Sequence, residues 1–364
     1  IVEYLPSSVV PNLRRFLVEN DKVATSCSNI TYYVVSPSLK GKAKPLEVDS
    51  TTVTIVREMS RIPSAFKAWK SPVSELLNDN RLFNCNPDSA EMWKPIVTSL
   101  FDSDKTAFPE LLNKIASAPS ANIFTNREYE MLLRSLNLRR LSFVLLAGDK
   151  NHYLTQLPSI QEKLVDVLRN VTSPIVQSEV YLCIRVLLCR LSPHNLTSFW
   201  PVVLTELYRV IEQTMNALPS DGSEDLPLIL AACKCLDLLL ALQTEEFQIH
   251  QWIFITDTVD AIYRPNEWDP ESLMDRLAEV AGSLPRTSTN SGPSPGPNLS
   301  SFGNQRPTRR PLLGSIRQID SVRELTPFFS SVSISTYESV YASYANVDWD
   351  AVERGLLEDM FDGR

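Results

Sequence analysis

Glycine is scarce. The 364 residues carry only 10, and between Gly41 and Gly282 only Gly148 and Gly222 occur. Phosphate-cradling loops, nucleophile elbows and two-residue hairpins all need glycine where the backbone turns to positive φ, so the chain has little room for any of them. Gly41-Lys42 is not a P-loop, because the upstream glycine is missing and no hydroxyl residue follows the lysine. No Gly-x-Ser-x-Gly elbow occurs either. Histidine is scarcer still, with 3 in the chain. His152, His194 and His250 each stand without the i, i+4 partner and glutamate of a metalloprotease helix. The 6 cysteines are too few for a disulfide framework. On a helix Cys233 and Cys235 would point about 200° apart, and Cys183 and Cys189 also diverge. They read as buried thiols rather than zinc ligands. Long apolar runs are absent too, since the best candidate, 226–242, is interrupted by Lys234 and Asp237. Positive charge is in deficit, with a net charge of -8, whereas a nucleic-acid binder needs excess Lys and Arg to displace counterions. These absences lead us to expect no catalysis, no cofactor, no metal and no nucleic-acid partner.

What the sequence does carry is apolar residues at helical spacing. Thr125 with Glu128 reads as a capping box ahead of an apolar face that Gly148 closes. Ser159 with Glu162 repeats the box before the Leu164, Val165, Leu168 and Val171 stripe. Ser173-Pro174 places a cap before a proline at the first helical position, where proline sacrifices no hydrogen bond. The helix expected over 175–191 is apolar nearly all round, so neighbours should cover it on both sides. Further helices are expected near 197–218, with Pro201 in or near the first turn, and over 226–242. Thr244 with Glu245 and Glu246 opens another, and Asp269-Pro270 starts one that stops at Gly282. Weaker patterns run through 9–17, 23–35, 53–62, 88–101 and 108–115.

Helices of this length joined by short polar loops define an all-α chain, read as an irregular armadillo- or HEAT-like helical-repeat solenoid over 1–284. A globular helical bundle is the alternative, since no exact repeat is found. A Ser-, Pro- and Gly-rich basic segment, 285–323, is expected to be a disordered linker. A C-terminal segment, 324–364, follows; it holds an aromatic and serine-rich stretch over 327–344 and an amphipathic helix over 347–361. That helix carries Trp349, Val352, Leu356, Leu357, Met360 and Phe361, which must dock on the solenoid, on a second copy or on a partner. The chain opens on Ile1 with a helical pattern beginning almost at once, the look of a piece of a longer protein.

Two basic clusters stand out on this acidic background: Lys40, Lys42 and Lys44 in an expected loop, and Arg306, Arg309 and Arg310 in the linker. Such clusters can hold anionic headgroups at about 1 kcal/mol per charge, although charge runs are more often solvated faces. Asn-x-Ser/Thr sequons occur at Asn29, Asn170, Asn195 and Asn298. Several fall near or within apolar helical patterns, where a glycan is expected not to fit, so a cytosolic setting is favoured.

The stretches 61–85 (RIPSAFKAWKSPVSELLNDNRLFNC), 93–115, 191–211 and 235–261 resemble the C-terminal region of the Dopey family of membrane-trafficking scaffolds, and the likeness runs across most of 1–283. The resemblance implies a large cytosolic helical-repeat scaffold, peripheral on Golgi, trans-Golgi and endosomal membranes and without catalytic motifs. It also implies partners: a Golgi scaffold related to Arf exchange factors, a phospholipid flippase of the P-type ATPase class, phosphatidylinositol 4-phosphate membranes and a kinesin motor. The expected role is a non-catalytic adaptor. A self-associating, homodimeric module of a giant protein is the alternative.

Overall fold

The computed structural model describes residues 2–17, 19–116, 126–256, 272–283, 308–341 and 346–361. Among them the secondary structure is helical throughout, with a single isolated bridge and no β-strand. The chain is all-α, and its helices pack as successive neighbours in the manner of a helical repeat. They divide into two compact units, one of residues 1–196 with 354–364 and the other of 197–353.

The first unit opens with short helical turns over Leu5–Val9, Val10–Asn12 and Leu13–Phe16, followed by α1 (Asn20–Ile30). Then come α2 (Ser50–Ser60), α3 (Phe66–Asn78), α4 (Pro87–Ser103), α5 (Ala107–Ala116), α6 (Arg127–Ala147), α7 (Leu157–Asn170) and α8 (Pro174–Arg190). α6 and α8 pack along most of their length, flanked by α4, α5 and α7. As its all-round apolar pattern requires, α8 is buried on nearly every side. Its two buried charges are paired: Arg139 of α6 holds Glu179, with Nε 3.0 Å from Oε1, and Arg185 holds Asp359 at 2.6 Å. Beyond α6, Asn151 adopts φ 62°. It donates its backbone N–H to the Arg190 carbonyl at 2.7 Å, tying the α6–α7 turn to the end of α8.

Caps moved where a nearer group could serve. At α6 the cap is Asn126, whose side chain accepts from the Glu128 N–H, and Thr125 lies outside the described residues. α7 starts at Leu157, two residues before Ser159. A 3-10 turn, Leu154–Gln156, leads straight into it and Pro158 fits its first turn, so the expected Ser159 cap lies inside the helix. Ser173 does precede α8, but its side chain makes no capping bond. Gly148 ends α6 at φ -77°, so positive φ is not its purpose. A Cβ there would stand 2.7 Å from the Tyr153 ring.

α3 escaped the periodicity reading because Pro72 sits inside it. The lost hydrogen bond and ring clash cost about 3 kcal/mol, and burial of Trp69, Val73, Leu76 and Leu77 on one face offsets them. Two sequon positions, Asn29 and Asn170, are exposed on helices, so sitting in a helix does not by itself bar a glycan there.

The second unit contains α9 (Trp200–Asn216), α10 (Leu226–Leu242), a short turn Glu245–Gln248, α11 (Leu273–Gly282) and α12 (Thr326–Tyr341). α9 packs on α10 and α11, and α12 packs on α10 and α11. Asp269 and Pro270 lie outside the described residues, and Ser272 caps α11. The aromatic and serine-rich stretch forms α12, which the sequence reading left unassigned. Of the expected linker, 284–307 lies outside the described residues, whereas 308–323 lies against this unit. Leu313 and Ile319 are buried, and the Leu313 N–H donates to buried Asp237 at 2.7 Å. The last helix, α13 (Trp349–Met360), closes the described chain.

Candidate functional site

The most chemically distinctive surface begins in α1. From Asn20 to Leu39 the chain is continuously helical, but Thr31–Val35 widens into a π turn, a feature concentrated at functional sites. Hydroxyls on either side return to the carbonyl four residues back: Thr25 to Asp21 at 2.8 Å, Ser28 to Ala24 at 2.9 Å and Ser38 to Val34 at 2.8 Å. Thr31 does not. Its hydroxyl is buried without a partner among the described residues, and Thr31 lines an open groove of about 610 Å³. The same turn exposes Tyr32 and Tyr33, 71% and 72% accessible, and Tyr32 also lines the groove.

The opposite walls are cationic. Gly41 takes φ +71° in the turn after Leu39, which sets Lys40 and Lys42 along the groove, and α3 contributes Lys67. Arg81 lines it as well, neutralised by Asp79 at 2.8 Å, and that guanidinium holds the Asp79 carboxyl below its usual range. Glu75 is a further groove residue and accepts from Ser71 at 2.9 Å. Lys40, Lys42 and Lys67 form no ion pair among the described residues. Lys44, expected to join them, is turned to Glu47 at 3.4 Å. Sequence reasoning missed Lys67 because it overlooked α3. The signal was there, since Lys67, Ser71 and Glu75 recur every four residues on one face.

The linker arginines are placed differently. Arg306 lies outside the described residues. The Arg309 guanidinium donates to the Gln243 side-chain oxygen. Its backbone forms a short parallel bridge with Val347, donating to Asn346 O at 2.9 Å and accepting from Asp348 N at 2.8 Å. Arg310 stands 3.8 Å from Asp348.

The six apolar residues expected to dock do so unequally. Leu356, Leu357, Met360 and Phe361 are buried, Val352 is buried, and Trp349 remains 43% exposed. Phe361 packs between Phe83 and Phe143, with ring centroids 5.2 and 5.0 Å away. Arg139 donates to the Met360 carbonyl at 3.5 Å, beside the Arg185–Asp359 pair. The end of α13 therefore docks on the chain's own first unit.

No group of three or more His, Cys, Asp or Glu among the described residues is spaced to hold a metal ion. All six thiols are buried. His152 meets Asp102 at 2.8 Å at the surface, and no helix among the described residues is long and apolar enough to cross a membrane.

The structure thus defines an all-α helical-repeat protein with a cationic groove. The particular family follows from comparison: residues 2–342 match the family model described as DOP1 C-terminal, and the chain belongs to that family. Relatives include Protein dop1 of Emericella nidulans, 29% identical over 97% of this chain and 19% of that protein. Protein pad-1 of Caenorhabditis elegans is 32% identical over 86% of this chain and 13% of its own length. Protein DOP1 homolog of Drosophila melanogaster is 30% identical, with coverage of 87% and 14%. The chain spans less than a fifth of the length of these relatives. No solved structure matches it.

Proposed function

We propose that this region is a non-catalytic adaptor in Golgi and endosomal membrane trafficking, peripheral to the membrane, whose cationic groove contacts phosphoinositide headgroups. The observation that carries the reading is the set of lysines, Lys40, Lys42 and Lys67, that form no ion pair among the described residues, around a groove that also holds the buried Thr31 hydroxyl. Phosphate oxygens would meet the ammonium groups, and ring hydroxyls of an inositol could donate to Glu75 or accept from Thr31. Family membership supports the adaptor role. The partners this reading assigns to the rest of the surface are a scaffold related to Arf exchange factors, a P-type ATPase flippase and a kinesin motor. The self-association alternative gains little from α13, since five of its six docking side chains are buried in its own chain and only Trp349 is left exposed.

Flotation with vesicles containing phosphatidylinositol 4-phosphate tests the lipid contact. Wild type should float, and the triple variant Lys40→Glu/Lys42→Glu/Lys67→Glu should lose at least tenfold in binding, with the wild-type signal weakening as salt rises. A wild type that ignores the headgroup would end the lipid half of the reading. Failure of the intact chain to capture scaffold and flippase cytosolic segments would end the partner half.

A further inference from the structure

A second, smaller cavity lies wholly within the first unit, among α3, α4, α5 and α6. Its volume is about 220 Å³. An apolar cavity of ~150 Å³ accepts a benzene ring, and drug-sized ligands fill roughly 300–1,000 Å³. The space therefore fits one short apolar chain. Leu77, Leu82, Leu100, Leu111, Phe143 and Val144 line it, and all are buried.

The charged groups around it do not cancel. Asp104 is already neutralised: Lys70 stands 2.6 Å away and Thr106 donates its hydroxyl at 2.9 Å. Among the described residues Lys114 donates to the neutral Asn78 amide oxygen alone, at 2.9 Å. Arg140, buried in the wall, hydrogen-bonds among the described residues to neutral oxygens: the Leu77, Asn78 and Asp79 carbonyls and the Asn80 and Asn137 amides. The Asp79 carboxylate, which also acts on it, is itself held by Arg81 at 2.8 Å. Against these two cations stands Glu110, exposed one turn before Lys114 and in no ion pair among the described residues. An apolar interior with a residual positive charge at its wall and mouth complements a molecule with an apolar tail and an anionic head.

We propose that this cavity is a binding site for a single-chain carboxylate of medium length, its chain among Leu100, Leu111, Phe143 and Val144 and its carboxylate at Lys114. The site is separate from the groove and does not depend on the membrane reading.

Calorimetric titration of the full chain with octanoate, octanol and octylamine tests it. Octanoate should bind and raise the melting temperature as its concentration rises, octanol should bind at least fivefold more weakly, and octylamine should not bind. Ala107→Phe, at the partly exposed edge of the cavity, should reduce octanoate affinity tenfold or more. Thr106→Trp is the second blocking variant should the first not fold. Lys114→Ala should bring octanoate affinity down to that of octanol while leaving octanol unchanged. The proposal is overturned if wild type does not bind octanoate, if both blocking variants bind it as well as wild type, or if octylamine binds equally. It is also overturned if N-acetyltryptophanamide binds and octanoate does not, which would make the cavity a receptor for a partner's aromatic side chain.

Discussion

Arg140 shows how much one side chain can hold in a helical repeat. The last carbonyls of a helix lack intrahelical donors, and this guanidinium reaches three at the end of α3: Leu77 at 2.7 Å, Asn78 at 3.2 Å and Asp79 at 3.1 Å. A planar fork of five donors can do this where an ammonium cannot. Burial pushes its pKa down from the ordinary arginine value, the direction expected of a cation taken out of water. Arg140→Met should cost about 3 kcal/mol in urea unfolding, since it strands the buried Leu77 carbonyl and two part-buried ones, and Arg140→Lys should recover less than half. A change under 0.5 kcal/mol for the methionine variant would mean that water replaces the guanidinium freely. None of this was legible in the sequence, because Arg140 reads as half of an Arg-Arg pair on an amphipathic helix and the carbonyls it holds lie 61 to 63 residues away. Local spacing says which face a residue takes; it does not say which distant carbonyls end beside it.

At the scale of the element, α13 is the clearest case of partial legibility. Its pattern named five side chains that bury, because 3.6-residue spacing and apolarity are local properties, and one, Trp349, that stays exposed. Where they go was not readable, since Asp359 finds Arg185 174 residues away and Phe361 finds Phe83 and Phe143. The same reasoning explains α3, where the local cost of Pro72 hid a helix that tertiary burial stabilises. The groove was half legible for that reason: Lys40 and Lys42 stood out as a cluster, but Lys67 needed α3. Docking of α13 makes a graded prediction. Phe361→Ala should destabilise by about 3–5 kcal/mol, as emptying a closely packed aromatic site does. Asp359→Ala should cost about 3 kcal/mol or more by leaving Arg185 buried and unpaired, whereas Trp349→Ala should stay within about 0.5 kcal/mol. Urea midpoints for the three variants check the order. Equal effects would mean that α13 does not hold this position in solution.

Across the whole molecule, the six cysteines form a ready-made set of reporters. Cys27, Cys85, Cys183 and Cys189 belong to the first unit and Cys233 and Cys235 to the second, and every one is buried. Desolvation raises the thiol pKa from 9.0 to about 11 at Cys27 and to about 12 at Cys183 and Cys233. The thiolate is the reactive form, so both burial and protonation protect these positions in the native chain. An aromatic disulfide reagent at pH 8 should label fewer than one thiol in the time that the urea-unfolded chain titrates six. The same shifts fix the sign of the alkaline response. A thiol whose pKa is raised on folding contributes stability that is fully present below its unfolded value near 9 and lost as pH climbs through 11 to 12. Urea midpoints should therefore hold steady from pH 7 to about 8.5 and fall between about pH 9 and 11, with labelling accelerating over the same interval. Rapid modification of a single thiol at pH 8 would point to local opening around that cysteine. A midpoint that does not move up to pH 11 would show that the unfolded chain keeps its thiols as protonated as the core does.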